Sequence, residues 1–466
     1  MEKNNKTIKL ITLIALSGLL VSVCLLVFQG NFNVLRLDDF DYGMYLHNLN
    51  GSNINFSSVI KHNLDNVIWM RETWQGTYFA LFLMKLSPLY FSSNLGGLSV
   101  FLIVISIILA NYCYGKVAIK VFGFNKNSVL LLSTLLSLFQ INCLPSPQEG
   151  LYWWMGGALY LFSYLYIAII LYCLVTIDKY KMLKLLIVTF FVFATEGSGW
   201  PCATLLVVIL FFLTLYKFSV NDSYKYLYLY TFIIAGLFLF YAFSAPGNFV
   251  RKSIEVGASM PLALAESFIY SIVHLFVYFN SATLVILLIF AYFLIKQCDL
   301  EKIKYLGKKR CLFAYWCCYS SMFAPAIYGE NYVAAPRYLN ILFMMHIIFC
   351  LLIVVFIVVN FNISFSFSNK TLVIFILGFM YISGFFNYNY ADPASFTVIL
   401  DTINGTNSSF KHVMDSNFAI LESDDKDVTI TIPIKRPRLF VYEGLNYEWV
   451  KDDIMEYYGK DSVSFK

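Results

Sequence analysis

Three carboxylates lie close together in the segment Leu37-Asp38-Asp39-Phe40-Asp41, a few residues after the first long apolar run. Carboxylates at this spacing repel one another, which raises a pKa or attracts a cation. Such a group can act as the base that deprotonates an acceptor hydroxyl. Asp38 and Asp39 could instead bind a divalent metal, Mg²⁺ or Mn²⁺, through their oxygens; no other cofactor is indicated. The alternative is a solvated loop in which an Asp caps a helix.

Two glutamates lie at the ends of apolar runs, each with tryptophans nearby. Glu149 in PSPQEGLYWWMGG precedes Trp153 and Trp154, and Glu196 in TEGSGW precedes Trp200. Carboxylates accept hydrogen bonds from sugar hydroxyls, and aromatic rings cover the apolar face of a sugar. We therefore predict carbohydrate or metal contact at each glutamate, with an ordinary loop residue at a helix end as the alternative.

Cations at the ends of apolar runs are candidates for binding phosphate, which a guanidinium can contact bidentately. Arg251 and Lys252 lie in APGNFVRKS, Arg337 in AAPRY, and Arg71 in WMRETWQG. A structural ion pair is the alternative reading. The acids available for such a pair are Glu255 and Glu330.

Membrane helices must position these residues. The chain has 466 residues, of which 59% are hydrophobic and 13% charged, whereas a soluble domain carries about 25% charged residues. Apolar runs near the ~20 residues needed to cross a bilayer recur along most of the chain. We predict an all-α polytopic membrane protein with about eleven spans, near 8–29, 97–115, 127–144, 155–177, 182–196, 201–218, 225–244, within 262–296, 311–328, 338–359 and 371–387.

The distribution of Lys and Arg predicts the orientation of these spans. Lys and Arg residues of the short loops concentrate on the side of the N-terminus, and cytoplasmic loops are enriched in both. We therefore expect a cytoplasmic N-terminus and an extracytoplasmic C-terminus. Six polar motifs then share the outer face, which favours an enzyme over a pump or channel. The motifs are LDDFDYG, WMRETWQG, PSPQEGLYWW, TEGSGW, SAPGNFVRKS and GENYVAAPRY.

The tryptophans show the same asymmetry. Only Trp316 of the seven maps near the inner face. Aromatic belts usually occupy both membrane interfaces, so anchoring explains this distribution poorly, and binding of a sugar is favoured. The outer tryptophans are Trp69, Trp74, Trp153, Trp154, Trp200 and Trp449.

The chain divides into two predicted domains. Residues 1–387 form the transmembrane body, whose first outer loop, about 30–96, has a length that is uncommon unless functional. Residues 388–466 are richer in acids and are predicted to form a small α+β extracytoplasmic domain, which could serve as a lid, an acceptor platform or a stabilising cap. Within it, apolar and polar residues alternate over 427–442, which predicts a strand or hairpin. The pattern over 447–459 predicts a short helix.

Two segments leave the number of spans open. Residues 77–92 are apolar but short and contain Lys85 and Pro88, so we expect an amphipathic or re-entrant piece on the outer surface. Residues 262–280, with Glu266 and His274, pose the same choice.

Several classes of function lack any supporting motif. The sequence contains no Walker loop, no dinucleotide-binding glycine pattern and no zinc-protease or hydrolase signature. The ten cysteines include no C-x-x-C pair. The basic residues follow the membrane topology, so nucleic-acid binding is not expected.

These residues resemble the GT-C glycosyltransferases, in which an Asp pair follows the first span and the chemistry takes place at the outer face. LDDFDYG, TWQGTYF, QEGLYWWMGG, TEGSGW, APGNFVRKS and EWVKDDIMEYYG are similar to a DUF6056-like bacterial membrane family, close in plan to the GtrII-like O-antigen glucosyltransferases. The resemblance covers nearly the whole chain through short motifs. It implies a multi-pass protein of the bacterial plasma membrane.

The resemblance also implies a reaction. A sugar would pass from an undecaprenyl-phosphate-linked donor to a cell-envelope polysaccharide or teichoic-acid-like acceptor, by inverting single displacement with Asp38 or Asp39 as base. The residues lining the site would be Glu149, Glu196, Arg251 and Arg337. Relatives commonly have W-x-G-R-[FY], whereas this chain has Thr77 where the Arg would be. Arg71 or Arg251 would then have to contact the phosphate.

Two rival functions remain open from the sequence. A transporter or lipid-linked glycan flippase would place polar residues along a path through the helices, and the predicted spans contain few. A polysaccharide polymerase or ligase would use nearly the same chemistry, so the sequence does not separate it from a glycosyltransferase. All three readings share membrane lipids as partners.

Overall fold

The computed structural model describes residues 2–49, 55–278, 281–330, 333, 335–361, 363, 369–384, 393–441 and 447–466. This part of the chain is almost entirely helical, as expected for an all-α polytopic membrane protein. The helices before the tail are α1 Glu2–Gly30, α2 Asp39–Asn48, α3 Phe56–Thr73, α4 Tyr78–Met84, α5 Pro88–Phe91, α6 Gly96–Phe122, α7 Lys126–Asn142, α8 Pro147–Gly150, α9 Trp154–Gly156, α10 Phe162–Val175, α11 Lys181–Glu196, α12 Trp200–Ser219, α13 Lys225–Phe243, α14 Pro246–Ile254, α15 Met260–Val277, α16 Ser281–Gln297, α17 Lys309–Ser321, α18 Ala324–Glu330, α19 Pro336–Phe361 and α20 Asn369–Gly384.

Seven helical stretches in the described part of the chain are long and apolar enough to cross a membrane. Each predicted span overlaps at least one described helix, although several of these helices are short and residues 385–387 of the last span lie outside the described residues. A total of eleven crossings therefore stays a prediction. The seven stretches are Ile8–Gly30, Ser93–Phe122, Trp154–Val175, Trp200–Ser219, Lys225–Phe243, Met260–Val277 and Pro336–Phe361.

The two segments that were ambiguous in sequence differ in structure. Residues 77–92 form α4 and α5, each too short to span, and they are packed into the protein: Leu81 and Lys85 are both buried. This burial argues against an amphipathic piece that lies on the surface, and a re-entrant piece stays a prediction. In contrast, 262–277 belongs to α15, which has the length of a span; residues 279 and 280 lie outside the described residues.

The bundle packs around its earliest helices. α6 packs along α7 and α10, and α1 lies against both α6 and α7. A closed polar cluster sits inside this packing: Asn111 Nδ2 donates to Ser137 Oγ at 3.0 Å and to Gln140 Oε1 at 2.8 Å, and Tyr164 Oη donates to Asn111 Oδ1 at 2.8 Å. These buried polar groups satisfy one another, which removes the cost of burying them.

The tail contains two more helices, α21 Ala394–Ile403 and α22 Thr406–Leu421, then β1 Asp427–Ile430, α23 Glu448–Tyr458 and β2 Ser462–Phe465. The predicted helix over 447–459 is confirmed and ends at Gly459, whose φ of +63° suits glycine. Of the two alternatives predicted over 427–442, a strand or a hairpin, the described residues 427–441 contain the strand β1 and no second strand. β1 pairs in parallel with β2, because Pro433 and Pro437 interrupt the chain where a second strand would need backbone donors.

Candidate functional site

One cavity of about 1170 Å³ opens at one end of the described helix bundle, and all six polar motifs contribute to its wall. The motifs are far apart in sequence and meet there because each follows or precedes a helix at that end. The predicted site residues that line the cavity are Asp38, Asp41, Trp74, Glu149, Trp153, Trp200, Arg251 and Arg337.

The two candidate bases occupy different environments. Asp38 lines the cavity, and although it is the N-cap residue of α2, its side chain makes no capping hydrogen bond. Asp39 is buried, and its carboxylate accepts hydrogen bonds from Tyr90 Oη at 3.0 Å and from the backbone N–H of Arg36 at 3.1 Å. Only Asp38 is therefore positioned to meet a molecule in the cavity.

Burial raises the pKa of both carboxyl groups. For Asp38, burial is the main cause; the charge of Arg337 opposes the rise and that of Asp41 adds to it. For Asp39, burial raises the pKa to about 7, although the charge of Arg36 and the hydrogen bonds from Tyr90 and Arg36 oppose the shift. A raised pKa makes Asp38 a better proton acceptor once it is ionised.

The backbone before Asp38 is strained. Leu37 has φ = 50°, a left-handed conformation that costs a residue with a side chain roughly 1–3 kcal/mol. Next to it, Arg36 is buried; its Nη1 donates to Val441 O at 3.0 Å and its Nη2 to Tyr152 O. These bonds hold the turn in place and thereby fix the direction in which the Asp38 side chain leaves α2.

Glu149 and Arg337 form one wall of the cavity. Arg337 Nη1 lies 3.3 Å from Glu149 Oε2, and the backbone N–H of Arg337 donates to the same oxygen at 3.3 Å. The Arg337 guanidinium carbon lies 5.4 Å from the centre of the Trp153 ring. The chain folds back tightly here, because a Cβ at Gly156 would lie 1.7 Å from the carbonyl oxygen of Glu149.

Arg251 forms a second wall and has two acidic partners. Its Nε lies 3.2 Å from Glu255 Oε1 and its Nη2 lies 3.2 Å from Glu330 Oε1. The guanidinium also lies over Trp74, with 5.3 Å from its carbon to the ring centre. The structural ion pair that was the alternative in sequence is thus present, and its acids are the two that were named.

Lys252 differs from both arginines. It lines the same cavity, and its Nζ lies 3.1 Å from the centre of the Tyr328 ring. Within the described ranges it pairs with no carboxylate. Arg251 and Arg337 are already neutralised by acids, so Lys252 carries the least compensated positive charge in the cavity wall.

The loop that carries Trp74 is fixed by α14. The Asn248 Oδ1 atom accepts a hydrogen bond from the Gly76 N–H at 3.0 Å, and its Nδ2 donates to Ala242 O at 2.9 Å. A Cβ at Gly247 would lie 2.3 Å from the backbone nitrogen of Trp74. This close approach requires glycine and places Trp74 beside Arg251.

Four predicted residues lie outside the cavity wall. Asp39 is bonded internally, as described above. Arg71 pairs with Glu72 at 3.0 Å and lies over the Tyr241 ring. Trp154 Nε1 donates to Leu83 O at 2.8 Å.

Glu196 is the fourth of these residues. It is completely buried, and neither carboxylate oxygen has a hydrogen-bond partner among the described residues. A buried polar group without a partner is costly. Its position at the end of α11 is as predicted, but its side chain does not face the cavity.

The hydrogen bonds of Asp39 do not favour a metal site formed by Asp38 and Asp39 together. Asp39 turns both oxygens toward protein donors and away from Asp38's cavity. In the part of the chain that the structure describes, no group of three or more His, Cys, Asp or Glu residues is arranged to hold a metal ion.

Sequence reasoning missed part of the site. Val441, Tyr447 and Trp449, all from the tail, line the cavity together with Tyr160. The outer assignment of Trp449 was the one available signal, and it gave no reason to bring the tail next to Asp38.

Comparisons of this chain with protein-family models, curated proteins and solved structures found no match.

Proposed function

We propose that this chain is a GT-C-like glycosyltransferase that moves a sugar from a polyprenyl-phosphate-linked donor to a cell-envelope glycan acceptor. The observation that carries the proposal is the cavity itself, at one end of an apolar helix bundle. It combines the carboxylate of Asp38, which makes no capping hydrogen bond, with the cations Arg251, Lys252 and Arg337 and the tryptophans Trp74 and Trp153. A lipid-phosphate-sugar needs contacts of all these kinds.

The apolar part of the wall suits the lipid. Phe240 on α13 and Leu264 on α15 line the cavity and are 70% and 53% exposed, so the side of the cavity between these helices presents apolar side chains. Burying a polyprenyl chain in such surroundings contributes about 0.8 kcal/mol of favourable free energy per CH₂ group. The phosphate would then lie near Lys252, at the start of the polar region.

The proposed reaction is an inverting single displacement. Asp38 accepts the proton of an acceptor hydroxyl, the freed oxygen electron pair attacks the anomeric carbon, and the bond from that carbon to the phosphate oxygen breaks. The departing phosphate keeps the bonding electrons, and Lys252, Arg251 and Arg337 stabilise its charge. A positioned base of this kind typically contributes ~10²–10⁴-fold in rate.

The polar residues inside the bundle do not favour a transporter. Asn111, Ser137, Gln140 and Tyr164 bond to one another in a closed cluster, which is the arrangement of a structural core. The polymerase or ligase alternative shares the proposed chemistry and differs in product length.

Purified protein in lipid nanodiscs tests the proposal. Short-chain polyprenyl phosphates carrying common hexoses and N-acetylhexosamines would be supplied with a glycan extract of the native envelope. We expect release of free polyprenyl phosphate and transfer of one sugar per acceptor end. Repeated additions would favour the polymerase. Failure of folded protein to transfer from any donor would contradict the proposal.

A further inference from the structure

The tail brings two exposed aromatic side chains to the cavity. Tyr447 and Trp449 both line it, yet they are 52% and 45% exposed. Their ring centres lie 6.3 Å apart, with the ring planes inclined by 31°. Large aromatic surfaces that remain open beside the carboxylates of the cavity suit a ligand with flat apolar faces and hydroxyl edges.

The helix that carries Trp449 is anchored next to the candidate base. The Tyr457 ring of α23 stacks on His47 of α2 at 3.9 Å and packs edge-on against Phe40 at 5.5 Å. α2 also carries Asp41 and begins directly after Asp38. The tail is thus fixed by packing at the acidic side of the cavity.

Asp453 lies one helical turn after Trp449, so both project from the same face of α23. Its pKa is raised to about 6, first by burial and then by the negative charges of Asp41 and Asp38. Tyr457, one helical turn beyond Asp453, packs against α2, so the face of α23 that carries Trp449, Asp453 and Tyr457 is turned toward α2. An aromatic plane and a carboxylate therefore lie side by side near Asp38.

We infer that Tyr447, Trp449 and Asp453 form the subsite for a neutral sugar of the glycan acceptor, an inference that rests on the proposed transferase function. The rings cover the apolar face of the sugar, Asp453 accepts a hydrogen bond from one hydroxyl, and another hydroxyl points to Asp38.

Charge is the reason for a neutral sugar. Five carboxylates and three cations line the cavity within the described ranges. The three glutamates pair with the two arginines, whereas Asp38 and Asp41, at the start of the helix that packs against α23, form no ion pair among the described residues. An acidic sugar or a phosphate-linked acceptor would meet like charge at this side. The carboxylates are Asp38, Asp41, Glu149, Glu255 and Glu330.

Binding without donor tests the subsite independently of catalysis. Full-length protein in nanodiscs, which avoid sugar detergents, would be mixed with neutral gluco-, galacto- and manno-tetrasaccharides and with tetragalacturonate. Saturation-transfer NMR should detect at least one neutral tetrasaccharide and weaker or no binding of tetragalacturonate. Trp449→Ala should weaken binding about tenfold, Trp449→Phe less, and Asp453→Asn should also weaken it. Ile434→Ala, at a tail position that is 97% exposed, is the matched control and should bind like the parent.

The outcomes separate the two proposals. In the transfer assay, Trp449→Ala should raise the acceptor KM about tenfold and leave the donor KM unchanged. Transfer by the parent with an unchanged acceptor KM in Trp449→Ala would overturn the subsite and leave the transferase intact. If neutral sugars bind in a way that depends on Trp449 but the protein transfers no sugar, the subsite proposal stands and the transferase proposal is contradicted. Absence of binding to every neutral tetrasaccharide, or preference for tetragalacturonate, would overturn the subsite.

Discussion

Arg337 Nη1 lies 3.3 Å from Glu149 Oε2 across 188 residues of sequence. The pair joins the start of α19 to α8 at the cavity wall, and Trp153 lies against the guanidinium. The arginine is thereby held in one orientation before any ligand arrives. Such preorganisation reduces the free energy that binding must use to order the side chain.

Replacing Arg337 should therefore weaken use of the donor. Arg337→Ala removes one charge-assisted contact, which is worth roughly 1.5–3 kcal/mol, or about ten- to a hundredfold in donor KM. Arg337→Lys keeps the charge without the planar guanidinium, so its donor KM should lie between those of Arg337→Ala and the parent. Steady-state kinetics with varied donor provide the measurement. An unchanged donor KM in folded Arg337→Ala would remove this residue from the site.

Lys252 offers a sharper comparison with Arg251, its neighbour in sequence. Lys252 has no acidic partner among the described residues, whereas Arg251 pairs with Glu255 and Glu330. Lys252→Gln should raise the donor KM about tenfold while leaving the melting temperature near that of the parent. Arg251→Gln should lower the melting temperature as well, because it leaves two carboxylates facing each other. Equal thermal effects of the two changes would contradict the assignment.

Asp39 should make stability depend on pH. Its pKa is about 7 in the folded protein and about 3.9 in an unfolded chain, so the folded state binds more protons between these values. Stability contributed by this group is therefore lost as the pH rises from about 4 to 7. In Asp39→Asn, the free energy of unfolding lacks this contribution to its pH dependence. Melting temperatures of both proteins from pH 4.5 to 7.5 should converge toward low pH; a constant difference would contradict the buried, protonated Asp39.

The sequence predicts the helices and the gathering of the motifs better than it predicts individual side chains. Long apolar runs determine where helices lie, and motifs at the same end of neighbouring helices must meet. Asp38 and Asp39 are adjacent and chemically identical, so only the packing of Tyr90 and Arg36 distinguishes them. The pairing of β1 with β2 joins residues 35 positions apart, and no local pattern specifies it.

Glu196→Gln should leave transfer nearly unchanged, because the side chain is completely buried and does not line the cavity. Gln has the same shape as Glu, and the carboxyl group of Glu196 has no hydrogen-bond partner among the described residues, so the melting temperature should change little. Steady-state kinetics with varied donor and varied acceptor check the transfer rate, and a thermal melt checks the stability. A large loss of turnover in folded Glu196→Gln would show that this group acts in the reaction.

The transfer rate of Asp38→Asn tests the central claim most directly. The Asn side chain keeps the shape of Asp and cannot accept the hydroxyl proton, so kcat should fall ~10²–10⁴-fold while donor binding and the melting temperature stay close to those of the parent. Asp39→Asn is the adjacent control and should retain far more activity, since it does not line the cavity. Near-parental turnover in Asp38→Asn, with sugar still passing from the polyprenyl phosphate to the acceptor, would contradict the assignment of Asp38 as the base.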